Sequence, residues 1–171
     1  MFDNNTRYGL VTRLMHWGMA LLLLWQFLSA GSRVLFEETA FEEFMWGTHK
    51  PLGALLLLLI ALRIVWALIN LSRRPASINW FAKLGHIALY GLLLAVPLLG
   101  VLRQYGSGRS FEPFGIPLFN GFDGEIEWLV EPGNILHGWL GWALLITILG
   151  HISMAVWHRG GAVDVLPRMW R

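Results

Sequence analysis

Four long apolar runs divide the chain, and short polar stretches separate them. They cover about residues 11–30, 47–71, 81–105 and 134–158. In the first, Arg13 and Arg33 bracket 19 uncharged residues; the last holds no Asp, Glu, Lys or Arg over 25 residues. At about 1.5 Å per residue, 25 helical residues reach roughly 37 Å, enough to cross a bilayer core of about 30 Å. The pattern predicts an all-α integral membrane protein: a four-transmembrane-helix bundle, with residues 1–171 as a single domain. Pro97 falls inside the third run, which a membrane helix tolerates when neighbours satisfy the freed carbonyl. The connector 31–44 is acidic through Glu37, Glu38, Glu42 and Glu43. Arg73, Arg74 and Pro75 mark 72–79 as a turn. The connector 106–133 is rich in glycine and proline, with a short interfacial helix expected at 125–130, and 159–171 forms a basic tail.

Composition sharpens this picture. The chain is 56% hydrophobic and 14% charged, against about 25% charged in a soluble domain. With no cysteine, thiolate haem ligation, disulfides and cysteine-ligated iron–sulfur clusters are excluded. The N-terminus lacks the cationic start and cleavage pattern of a signal peptide, so the first run reads as a retained span. Four spans place both termini on one side of the membrane. The N-terminus, the 72–79 turn and the tail, with their flanks, carry Arg7, Arg13, Arg73, Arg74, Lys83, Arg159, Arg168 and Arg171. The other two connectors and their flanks carry Arg33, Lys50, Arg103 and Arg109, with nine of the eleven acids. The positive-inside rule therefore makes both termini cytoplasmic. Trp17, Trp46, Trp80, Trp128 and Trp157 lie near span ends, as interface anchors do. Membrane lipid is the expected surrounding, and no nucleic-acid partner is expected.

The histidines carry the candidate chemistry. His137 and His151 stand 14 residues apart, which is roughly 21 Å along a helix and within about 40° of the same face. His49 begins the second span and His137 the fourth, both near the outer face; His16 and His151 lie towards the inner face. Each depth-matched pair comes from two helices and can clamp one haem iron. A lone membrane histidine is more often a packed or interfacial residue; four in two matched pairs shift the balance to haem. Met15, Met19, Met45 and Met154 can also serve as axial ligands, but apolar filling suits them better. Gly53, Gly85, Gly138, Gly141 and Gly150 suit either helix packing or flat macrocycles. Arg63 is the single charge inside the second span, 14 residues beyond His49 and so near the inner level. A guanidinium at that depth needs a partner; a haem propionate and snorkelling to the surface compete evenly. Lys50, beside His49, is a candidate for an outer propionate. His86 and His158 remain at the inner boundary. Histidine is well poised to deliver protons near neutral pH. A non-haem site for a hard divalent cation is disfavoured, because the spans contain no carboxylate.

The sequences RLMHW at 13–17, HKPLGALLLLLIALRIVW at 49–66, LGHIALYGLLLAVPLLG at 84–100 and HGWLGWALLITILGH at 137–151, followed by WH at 157–158, resemble the prokaryotic cytochrome b561 family. The resemblance covers nearly the whole chain. It implies a multi-pass protein of the bacterial inner membrane with two haem b groups. It also implies His16, His49, His137 and His151 as axial ligands, ubiquinone as substrate, and His86 and His158 near a haem or the quinone, where they suit proton delivery to quinone reduction. One member type oxidises superoxide outside and reduces ubiquinone within the membrane. The expected function is thus electron transfer between a periplasmic donor, superoxide or a redox protein, and the quinone pool. The alternative is a haem-bearing anchor subunit for a soluble redox partner. The resemblance supports no transfer for the 106–133 connector.

Overall fold

The computed structural model describes residues 2–159 and 164–170; the rest of the basic tail, including Arg171, lies outside them. Four long helices run α1 Leu10–Leu35, α2 Ala40–Ile69, α3 Trp80–Gly106 and α4 Glu127–Arg159, and a four-residue α5 follows at Pro167–Trp170. All four long helices are long and apolar enough to cross a membrane. Among the described residues there is no strand beyond one isolated bridge, Phe111 to Phe119. Consecutive long helices pack against one another.

Two helices begin well before their apolar runs. Thr39 caps α2, its side chain accepting from Glu42 N at 3.2 Å, so the acidic residues Glu42 and Glu43 form the first turn. In α4 the helix starts at Glu127 and continues through Pro132, absorbing most of the expected interfacial helix. Hydropathy marks where lipid begins; capping marks where the helix begins. Asn79 caps α3 in the same way, accepting from Ala82 N at 2.8 Å.

The small interior core is Met19, Leu56 and Ile60, with Leu22, Leu23, Tyr90 and Leu94 against it. Most apolar side chains instead point outward, Leu21, Trp139, Ile146 and Trp157 among them. In water this would be untenable; in lipid it is the favoured arrangement. Close approach of α3 and α4 is set at Gly133, where a Cβ would meet Arg103 Cβ at 2.6 Å and Leu99 O at 3.0 Å.

Both described ends of the chain lie at one end of the bundle. Tyr8 N donates to Arg168 O at 3.1 Å, and Trp17 Nε1 donates to Met169 O at 3.2 Å. A buried latch closes that end. Asp3, whose side chain is fully buried, accepts from Thr12 Oγ1 (2.6 Å), Gly9 N (2.8 Å) and Arg74 Nε (3.0 Å). Asn70 and Trp66 complete it, through Asp3 N to Asn70 Oδ1 at 3.2 Å and Trp66 Nε1 to Thr12 Oγ1 at 2.8 Å. The Asp3 carboxylate is thereby both charge-paired and hydrogen-bonded, as a buried charge must be. Burial beside this latch raises the Tyr8 pKa above the ordinary phenol value, so its hydroxyl stays protonated.

At the other end, the 106–126 connector folds back on itself. Phe111 N donates to Phe119 O at 3.0 Å, and Phe122 N to Gly108 O at 2.9 Å. Tyr105, Phe111, Phe119 and Phe122 gather their rings within 5.2–5.6 Å. It forms an ordered cap over that end of α2 and α3.

Candidate functional site

The helices bring the histidines together in two places. At the end nearer the 106–126 cap, His49 of α2 faces His137 of α4, with ring centres 6.3 Å apart and planes at 73°. At the end nearer the termini, His16 of α1 faces His151 of α4, also at 6.3 Å, with planes at 82°. No cluster of three or more metal-ligating side chains occurs among the described residues. Each place holds one facing pair of imidazoles from two helices.

The spacing tests what they can hold. Metal–imidazole bonds run about 2 Å and the ring centre lies roughly 1.1 Å behind the bonding nitrogen, so two rings trans on one iron stand about 6.2 Å apart. Both pairs meet that separation. His86 of α3 also approaches His151, but at 5.5 Å between centres. That is shorter than the separation an intervening iron would set, which the His16 ring meets.

In the pair nearer the 106–126 cap, each ring's Nδ1 meets an oxygen of another helix. His137 Nδ1 donates to Val96 O at 2.9 Å, across from α4 to α3. Gly100 makes room for this ring: a Cβ there would lie 3.1 Å from His137 Cε1 and 3.3 Å from Nδ1. His49 Nδ1 meets Ser29 Oγ of α1 at 2.9 Å. Trp46 stacks on His49, with ring centres at 4.7 Å and planes at 23°. Ser29, Val96 and Gly100 were not singled out from the sequence. The visible signal was Gln26, Ser29 and Ser32, three polar residues at three-residue spacing in an otherwise apolar run.

At the inner level all four helices contribute. Arg63 Nη2 of α2 comes within 3.3 Å of His16 Nδ1, and the guanidinium lies 5.6 Å from the centre of the Tyr90 ring of α3. Arg63 is thus turned into the bundle rather than snorkelling. A guanidinium only donates, so here Nδ1 of His16 is the accepting nitrogen. Ligation through Nε2 places the hydrogen on Nδ1, and Arg63 then needs another acceptor. Its Nε is already buried without a hydrogen-bond partner. The donor set therefore fits an anionic group such as a haem propionate.

The remaining candidates are more dispersed. Lys50 Nζ donates to Gln104 Oε1 of α3 at 3.0 Å. His158 Nδ1 donates to Met154 O of its own helix at 2.7 Å and is not brought against His86. Met19 is buried in the core, its sulfur 3.9 Å from Arg63 Nη1. A Cβ at Gly85, Gly138, Gly141 or Gly150 would meet nothing within 4 Å, so these four are not helix-packing contacts. Gly53 is in ordinary contact range of Gln26, at 3.4 Å.

Comparison with known proteins gives the family. The family model described as prokaryotic cytochrome b561 matches residues 7–171. Cytochrome b561 homolog 2 of Escherichia coli (strain K12) is 27% identical over 173 residues, covering 95% of this chain and 90% of that protein. With four membrane-length helices, imidazole pairs spaced for iron and a family match from Arg7 to the C-terminus, the chain belongs to the prokaryotic cytochrome b561 family, whose members are membrane haem b electron-transfer proteins.

Proposed function

We propose that this chain carries electrons across the bacterial inner membrane, from a periplasmic donor to the quinone pool, with both termini cytoplasmic. The observation that carries the reading is the pair of 6.3 Å imidazole contacts, one towards each end of α4. His49 and His137 hold an outer haem b, and His16 and His151 hold an inner one. Bound haem supplies a one-electron iron couple. Arg63 fixes and neutralises an inner propionate, and Lys50 is placed for an outer one.

At the inner face, His158 and His86 serve quinone reduction, which consumes protons. His158 Nδ1 is committed to Met154 O, so Nε2 is the atom that takes up a proton and passes it on. His86 stands against the inner pair, 5.5 Å from the His151 ring.

Superoxide is one donor for the outer face, gathered by the outer cations. Arg33 is already paired with Glu42 at 3.2 Å, which leaves Lys50, Arg103 and Arg109 to attract an anion. A second reading has its own support: Glu125, Glu127 and Glu131 line one groove at the head of α4. That surface suits a cationic redox protein, either as donor or as the partner of an anchor subunit.

The test is quinone reduction by the purified protein, with superoxide or a small reduced cationic cytochrome as donor. His158→Ala is expected to slow quinone reduction about a hundredfold, the low end for a lost proton donor, without loss of haem. Wild-type turnover in that variant would remove His158 from the role. Haem reduction by a donor with no onward transfer to quinone would favour the anchor reading instead.

A further inference from the structure

A buried hydroxyl lies beneath His49. Ser29 Oγ has one hydrogen, and it is spent on Gln26 O at 2.7 Å, within α1. The same oxygen lies 2.9 Å from His49 Nδ1. With that hydrogen on Gln26 O, Oγ accepts from His49 Nδ1, the tautomer an imidazole has when it binds iron through Nε2. The lone pair is then on Nε2, the atom a haem iron requires. Gln26 adds a brace, its Nε2 donating to His49 O at 2.9 Å. Ser29 is 0% exposed, so water does not compete for this bond.

We propose that Ser29 is the positioning residue of the outer centre: it sets the His49 tautomer and ring orientation and lowers that centre's reduction potential. The proposal rests on His49 being an axial ligand. An Nδ1–H that donates to oxygen makes its imidazole a stronger electron donor, and a stronger donor favours the oxidised iron. His137 has the matching arrangement through Val96 O. At the inner level the neighbour of the corresponding nitrogen of His16 is the Arg63 guanidinium, a donor and not an acceptor, so that imidazole gains no such donation. The outer centre therefore holds its electron less tightly than the inner one, which favours inward flow.

Ser32 is the internal control. It is also buried, at 3% exposed, and its hydroxyl donates to Ser29 O at 2.8 Å, but it makes no bond to a histidine. A purely structural effect would appear in both serine variants.

The experiment is a redox titration of wild type, Ser29→Ala, Ser32→Ala and His49→Ala, followed in the haem absorption bands. Ser29→Ala is expected to retain both haems and to raise the potential of the lower-potential centre. The expected shift is about tenfold in the reduction equilibrium, which is 59 mV for one electron. Ser32→Ala is expected to leave both potentials in place. His49→Ala is expected to lose the centre that Ser29→Ala shifted. Unchanged potentials in Ser29→Ala, or an equal shift in Ser32→Ala, would overturn the role of Ser29 while leaving the ligand assignment intact. Both haems retained in His49→Ala would overturn the ligand assignment and this proposal together.

Discussion

Replacing His151 by alanine is expected to halve the haem content, from two per chain to one, and to leave the outer centre spectrally intact. His151 is the α4 imidazole at the inner level, and His16 is the ring that stands 6.3 Å across from it. Loss of one of two axial bonds leaves an iron held by a single imidazole in a site shaped for two. Losing merely an outer hydrogen bond to a metal ligand costs up to about a hundredfold in affinity, so loss of the ligand itself exceeds that. The outer pair is insulated, because His137 is fixed separately to Val96 O on α3. His86→Ala is the control. Its 5.5 Å spacing from His151 does not admit an iron, so that variant is expected to keep both haems. If His86→Ala lost the inner haem and His16→Ala did not, the inner pair would have to be redrawn.

Gly100→Val is expected to remove the outer haem while sparing the inner one. A Cβ alone would stand 3.1 Å from His137 Cε1, tighter than ordinary contact, and valine adds two further carbons. The His137 ring must then move, which strains it away from Val96 O and from the level of His49. Overpacking of this kind costs about 1–3 kcal/mol before any loss of ligation is counted. Gly100→Ala is expected to weaken outer-haem binding without abolishing it. Haem quantification against protein, with the bands of the two centres resolved by redox titration, reads both variants. Full outer-haem occupancy in Gly100→Val would show that the His137 ring is not confined as described.

The four spans and the two histidine pairs were readable because lipid burial and helical spacing both act along a single segment. Fourteen residues bring His137 and His151 to one face wherever the helix sits. The start of α2 was less legible: Glu42 and Glu43 look like connector, yet Thr39 caps them into the helix. Pro132 likewise suggests a break, and α4 runs through it. What the sequence left open was how each helix is rotated against its neighbours. That rotation places Ser29 under His49, Gly100 beside His137 and Arg63 against His16. It also brings His86 nearer to His151 than His16 is, 5.5 Å against 6.3 Å between ring centres. The Asp3–Arg74 latch joins residues 71 positions apart, a separation at which no local pattern reports contact.

The central claim is that two irons are each gripped by imidazoles from separate helices, one pair towards each end of α4. Its most direct test is the haem-to-protein ratio of the purified wild-type chain, set beside His16→Ala, His49→Ala, His137→Ala and His151→Ala. The account predicts two haem b per wild-type chain and one in each variant. A wild-type ratio of one, or a full complement of two in any of the four variants, would contradict it.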